Sequence, residues 1–206
     1  MARTEIPDIV IGRLPVYLRA LRRLEQEGNE ITSSHELGKR LGISSAQIRK
    51  DLSHFGEFGK QGTGYTVATL SAELQRILKV NREWQVALVG VGDLGRALAH
   101  YGGFAHRGFR ITQLYDSDSE KIGQIIDGLT IQGMSGMTDN IKKAGLKVAM
   151  IATPADAAQD VADLLVKAGI RAILNYAPIV VSVPEGVRIQ YIDPVIHMQR
   201  MAYYLD

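Results

Sequence analysis

The sequence predicts an α/β fold in two parts: a small helical domain carrying a β-ribbon, then an open parallel sheet layered with helices and closed by a short C-terminal helix. Three observations predict it. Residues 33–54 read as two short capped helices joined by a glycine-containing turn. Residues 55–65 hold four glycines and three aromatics. From residue 85 onward, apolar runs alternate with helical periodicity, and the first run ends in Gly90-Val91-Gly92-Asp93-Leu94-Gly95.

Bulk properties fit this reading. A chain of 206 residues has room for two hydrophobic cores, and a hydrophobic fraction of 46% with 22% charged residues is that of a globular protein. There is no cysteine, which excludes disulfides, thiolate catalysis and cysteine-based zinc sites and fits a cytoplasmic location. No apolar stretch reaches the roughly 20 residues of a membrane span, and the N-terminus lacks a signal pattern. Residues 1–80 carry twelve Lys and Arg against nine Asp and Glu, whereas residues 81–206 carry twelve against thirteen. The mildly basic front half is compatible with a polyanionic partner.

The first element is a helix. Pro7 suits its first turn, Leu14, Tyr17, Leu18, Leu21 and Leu24 form one apolar face, and Gly28 ends it. Pro15 inside this pattern predicts a kink or break. Ser33 with Glu36, and Ser44 with Gln47, are capping boxes that open two further helices. Gly42 between them supplies the positive φ of a tight turn, which completes a helix-turn-helix outline.

The second of these helices, about 45–54, faces two ways. Ile48, Leu52 and Phe55 point inward; Ser45, Gln47, Arg49, Lys50, Ser53 and His54 remain outside. Gln and Arg address base edges in a major groove, and Lys and Ser hold phosphates. The Gly-rich stretch behind it reads as a wing, with Lys60 and Gln61 near its tip. Leu70, Leu74, Ile77 and Leu78 mark the helix that ends this domain, so residues 1–80 form a winged-helix DNA-binding domain.

The strand 85–90 then leads into a G-x-G-x-x-G fingerprint. Gly90 permits a sharp turn, Gly92 close approach of a pyrophosphate, and Gly95 close packing of helix on strand. Free N–H groups of Val91, Gly92, Asp93 and Leu94 at the helix start favour an anion. The second strand, 109–116, ends in Asp116, 21 residues past Gly95 and near the usual position of the acid that holds the adenosine ribose. With Asp118 beside it, NAD(H) is favoured over NADP(H). Thr153 and Pro154 end a buried strand, 146–152. Asn175 and Pro178 follow another, 170–175. Loops at strand C-termini surround the ligand in this Rossmann-like fold. A last strand at 187–193 sets the domain at 81–193, and residues 194–206 form the C-terminal helix.

What is absent narrows the function. His35, His54, His100, His106 and His197 show no metal-ligand spacing, and no G-x-S-x-G or H-E-x-x-H occurs. A dehydrogenase needs a substrate domain with an acid–base residue beside the nicotinamide, whereas only one helix follows the parallel-sheet units and His100 and His106 read as helix-surface residues, which argues against an enzyme.

The motifs Gln47-Ile48-Arg49-Lys50-Asp51-Leu52-Ser53-His54-Phe55-Gly56 and Gly62-Thr63-Gly64-Tyr65, the fingerprint, Asp116, Thr153-Pro154 and Asn175-Tyr176-Ala177-Pro178 appear in one order along the chain. Arg13-Leu14-Pro15 and Tyr17 precede them. In all of these the chain resembles the Rex family of redox-sensing transcriptional repressors. The resemblance implies a homodimer that binds an inverted-repeat operator in double-stranded DNA with NAD+ and is released by NADH. It also implies that the helix near 194–205 is exchanged between subunits.

Such a sensor must contact the nicotinamide ring differently in its two redox states, because a ligand shifts an equilibrium only by differential affinity. Tyr101, just past the fingerprint helix, and Asp193, before the last helix, are expected to sense the ring. Arg19 is expected to pair with Asp193 in one state only. Pro194 stands where a larger apolar residue is expected to cover the ring. Two other readings stay open: a small NAD-dependent oxidoreductase, and a CoA- or nucleotide-binding module, against which Asp116 argues.

Overall fold

The computed structural model describes residues 6–59 and 63–205. They divide into two compact units, Met1–Arg82 and Glu83–Asp206.

The first unit starts with α1 (Asp8–Gln26), which runs without a break through Pro15. The expected break is absent: Leu14, Tyr17, Leu18, Leu21 and Leu24 are buried on both sides of the proline, and that packing outweighs one lost backbone bond. Gly28 ends the helix at φ 79°, with Asn29 N–H donating to Leu24 O and Gly28 N–H to Glu25 O. Strand β1 (Ile31–Thr32) leads to α2 (Ser34–Leu41), and the turn at Gly42 leads to α3 (Ser45–Ser53). Ser33 Oγ accepts from Glu36 N–H and Ser44 Oγ from Gln47 N–H, so each serine caps its helix.

The ribbon differs from expectation. Strand β2 (Tyr65–Thr66) pairs antiparallel with β1, and residues 55–59 form no strand. The partner of β2 therefore comes from before α2, where Ile31 and Thr32 offer the β-branched pair that the glycines of 55–59 lack. Lys60 and Gln61, the expected wing tip, lie outside the described residues. Helix α4 (Val67–Ile77) closes the unit over a core built on Leu14, Tyr17, Leu21, Leu37, Ile48 and Leu74.

The second unit comprises β3 (Trp84–Val89), α5 (Asp93–Ala99), β4 (Phe109–Asp116), β5 (Ile125–Ile126), β6 (Leu129–Gly133), α6 (Met137–Ala144), β7 (Val148–Ile151), α7 (Ala158–Lys167), β8 (Ala172–Asn175), β9 (Arg188–Tyr191) and α8 (Pro194–Ala202). Its sheet runs β5-β6-β4-β3-β7-β8-β9, all parallel except the β5–β6 pair. Counting the parallel strands along the chain gives the order 3-2-1-4-5-6 of the Rossmann fold, which reverses between β3 and β7. The hairpin β5–β6 and helix α6 went unread in the sequence, because 117–145 is polar and too weakly periodic to carry a pattern. Apolar clusters cover both faces of the sheet.

Among the described residues no helix is long and apolar enough to cross a membrane, and no cluster of His, Asp and Glu could hold a metal.

Candidate functional site

The fingerprint lies where the sheet order reverses. Gly90 N–H donates to Tyr115 O at 2.8 Å and Ala152 N–H to Val89 O at 2.8 Å, which ties the ends of β3, β4 and β7 together. The three glycines are required for three different reasons. Gly90 has φ 91°, and a Cβ there would stand 2.6 Å from Ala152 O. A Cβ on Gly95 would overlap the carbonyl of Gly90. A Cβ on Gly92 would meet nothing within 4 Å. Packing within the chain thus demands glycine at 90 and 95, while at 92 only something outside the chain could demand it.

That open space is equipped for an anion. No side chain caps α5, so the first N–H groups of its turn have no intrahelical partner. Past the end of β7, where its backbone adjoins Gly90, Thr153 has its Oγ1 buried without a hydrogen-bond partner. An orphaned hydroxyl beside uncapped N–H groups and an open glycine fits a nucleotide pyrophosphate. Leu94 and Pro154 are exposed at the rim.

Asp116 is buried beneath this turn. Val91 N–H donates to its Oδ2 at 2.7 Å and Asp118 N–H to its Oδ1 at 2.9 Å. Burial opposes its ionisation, but the N–H groups of Asp118 and Val91, with Lys121, hold the carboxyl below the usual carboxylate range. Lys121 Nζ lies 3.4 Å from Asp116 and 3.5 Å from Asp118. The sequence reading counted the two acids and missed this lysine, three residues past Asp118 on the same turn.

Asn175 is fully buried and committed to its own loop. Its amide nitrogen donates to Ala177 O and Ile179 O, and its oxygen accepts from Ala177 N–H. It shapes the loop around exposed Pro178 rather than offering a free group.

Tyr101 is not near this cradle in its own chain. The phenol accepts from Arg107 at 3.1 Å, stacks edge-on with Phe104, and lines a cavity of about 240 Å³ with Phe109 and Thr112 at the start of β4. Helix α5 is the reason: it runs back along the sheet from the fingerprint and carries Tyr101 to the opposite end. Asp193 lies past the end of β9, four strands from β4 and so about 19 Å away across the sheet. There its carboxylate accepts from Val195 N–H and caps α8. One sheet therefore cannot bring Tyr101 and Asp193 together. Arg19 is exposed on α1.

In the first unit α3 presents Arg49, Lys50, Ser53 and His54 outward, with Ser45 half-buried at its start. Arg49 donates to Ser34 Oγ at 3.0 Å, which steadies the guanidinium against the start of α2. Ser53 Oγ is turned back onto Lys50 O. Lys50 is exposed and has no side-chain partner among the described residues. Gln47 does not complete its capping box: its amide nitrogen donates instead to Asp51 Oδ1 at 2.6 Å.

Asp51 is the residue that sequence reading missed. It is fully buried, with Arg13 Nε at 2.5 Å, Arg13 Nη2 at 2.7 Å and the Tyr17 hydroxyl at 2.6 Å. Burial works against its charge, but donation from Arg13, Tyr17 and Gln47 prevails and pushes the carboxyl down to about 2. Burial, together with Asp51, pushes the Tyr17 phenol up to about 12. A signal was present: Asp51 occupies the i+3 position of the stripe Ile48, Leu52, Phe55, and a carboxylate on an inward stripe requires donors.

Comparison with known proteins agrees with both halves. Residues 5–53 match the family model "Putative DNA-binding protein N-terminus", and residues 81–179 match "CoA binding domain". The redox-sensing transcriptional repressor Rex of Roseiflexus sp. (strain RS-1) is 55% identical over 98% of this chain and 91% of its own length. That of Chloroflexus aurantiacus is 54% identical over 100% and 97%, and that of Streptomyces coelicolor 44% over 97% and 77%. The crystal structure of RSP in complex with β-NAD+ and operator DNA superposes with a TM-score of 0.94 at 34% identity, covering 98% of this chain and 93% of that one. The complex of RSP with β-NADH gives 0.89 at 32% identity, with 98% and 95% covered.

Proposed function

This chain belongs to the Rex family of redox-sensing transcriptional repressors, and we propose that it holds operator DNA through α3 and reports the NADH/NAD+ ratio through the cradle at Gly90–Gly95. The observation that carries this reading is the presence of both devices in one chain. The relatives are named as repressors, not enzymes, and RSP is found with operator DNA and with either redox form of NAD. The match to a CoA-binding model agrees with the shared parallel sheet, while Asp116 beneath the turn favours a ribose hydroxyl over the 3′-phosphorylated nucleotide of CoA.

The residues divide the work as follows. Val91 N–H is spent on Asp116, so the backbone N–H groups of Gly92, Asp93 and Leu94 hold the pyrophosphate and Thr153 Oγ1 supplies a further bond. Asp116 braces the turn through Val91 and, with Asp118, faces the ribose. The loop shaped by Asn175 closes over the nicotinamide end with Pro154 and Pro178. On α3, Arg49 and Lys50 contact base edges and phosphates, assisted by Ser45, Ser53 and His54 and by Lys60 and Gln61.

We infer a homodimer with α8 exchanged between subunits. No residue of α8 is buried in its own chain, and Val195, Ile196, Met198 and Met201 are 50–60% exposed. A helix so apolar and so uncovered needs a partner surface, and a two-fold operator asks for a two-fold protein. Exchange also removes the difficulty with Tyr101 and Asp193. Carried to the second subunit, Asp193 would meet a Tyr101 that its own sheet keeps at a distance, and would be free of Arg19 in one state and paired in the other. The oxidised and reduced nicotinamide differ by one positive charge, and a carboxylate is the side chain that responds to that charge.

Titration of operator binding by the full-length protein tests this reading. NADH should release the DNA at concentrations where NAD+ leaves it bound; equal effects of the two would refute redox sensing.

A further inference from the structure

Arg49 and Lys50 offer only donors to DNA. The groove also displays donors, the exocyclic amino groups of adenine and cytosine, and these need an acceptor. The structure supplies one. Gln47 sits one helical turn before Asp51 on α3, and its amide nitrogen donates to Asp51 Oδ1 at 2.6 Å. A carboxylate only accepts, so the Gln47 carboxamide must turn its NH2 inward and its oxygen the other way. Asp51 cannot move to allow the reverse, because Arg13 and Tyr17 hold it from α1. Gln47 Oε1 has no hydrogen-bond partner among the described residues, and it is not a buried orphan, as Thr112 Oγ1 and Thr153 Oγ1 are. It is an outward, unspent acceptor in the first turn of α3, the part of a recognition helix that enters the groove.

We propose that Asp51 is a positioning residue that locks the Gln47 carboxamide oxygen-outward, so that Gln47 selects an exocyclic amino group, adenine N6 or cytosine N4, in each half-site. The proposal rests on α3 being the recognition helix. A free glutamine turns its amide to suit a donor or an acceptor and discriminates little. A locked one accepts at a fixed place, and a base pair with a carbonyl there leaves two oxygens facing each other.

The test uses the full-length protein and a duplex that it selects from a random pool. Purine replaces adenine, or pyrimidin-2-one replaces cytosine, one symmetric pair of positions at a time, so that only the amino group is lost. Binding is followed by fluorescence anisotropy. At one pair of positions amino removal should weaken the unmodified protein about five- to hundredfold. Gln47→Ala should bind more weakly throughout and be indifferent to that removal. Gln47→Glu, whose carboxylate only accepts but cannot bond to Asp51, should regain part of the dependence. Asp51→Asn, which lets the amide turn, should bind but lose the dependence; should its melting temperature collapse, proton exchange of the Gln47 side-chain NH2 in the unmodified protein decides, slow if Asp51 holds it and as fast as a free amide's if the lock is wrong. A protein equally sensitive to every amino removal with and without Gln47 overturns the proposal. Unchanged operator binding by an Arg49→Ala, Lys50→Ala double variant would instead overturn the recognition-helix reading itself.

Discussion

Gly92→Ala separates folding from binding at the cradle. Gly92 precedes α5 with φ −77° and ψ −162°, a conformation open to alanine, and the new Cβ meets no atom of the chain within 4 Å. Alanine is a poorer N-cap than glycine but loses less entropy on folding, and the two terms nearly cancel, leaving stability within about 0.5 kcal/mol. For a unit of this size that moves Tm by about 1–3 °C. The nucleotide should feel the methyl group fully. Pushing the pyrophosphate off the turn forfeits one charge-assisted bond, about 1.5–3 kcal/mol, which is about ten- to hundredfold in NADH affinity. Calorimetry with NADH and a thermal melt, run on the same preparation, give both numbers. Gly95→Ala is the contrasting control: its Cβ overlaps the Gly90 carbonyl, so melting itself should fall by several degrees. Gly92→Ala that melts like the parent and binds NADH within twofold of it would refute the reasoning, since no pyrophosphate could then lie over this turn.

Asp116→Ala should weaken NADH and narrow its advantage over NADPH, and Lys121→Ala in the parent should widen that advantage, because Lys121 screens the two carboxylates from a 2′-phosphate; paired titrations with both cofactors check this. Asp193→Ala should keep NADH binding while blunting the difference between NADH and NAD+ in operator release; full discrimination by this variant would exclude Asp193 as the sensor. Deletion of residues 194–206 should convert dimer to monomer in sedimentation, since the apolar face of α8 is what a partner would cover. Because the folded-state acidity of Asp51 is raised, its contribution to stability is complete above the ordinary carboxylate value near 4 and is lost as pH falls toward about 2. Acid titration of Tm should therefore be shallower across that window in Asp51→Asn than in the parent.

The parts legible in the sequence are those whose physics is local. A capping serine acts three residues away, a G-x-G-x-x-G turn within six, and an apolar stripe within two helical turns, so Ser33, Ser44, Gly42, Gly90 and Gly95 disclosed their roles before any fold was known. The strands at 109–116 and 187–193 could likewise be read from their own composition. Tertiary structure decided what depends on residues distant in the chain. Asp51 meets Arg13 and Tyr17, 38 and 34 residues earlier, and only that meeting turns an acid on α3 into the lock on Gln47. The partner of β2 comes from before α2 rather than from the adjacent glycines. Asn175 proved to be spent on its own loop, and Tyr101 to lie at the far end of the sheet from the turn that precedes it by six residues. A sequence states which groups seek partners, but burial makes an unpaired charge or amide costly, and only the packed chain determines which partner is within reach.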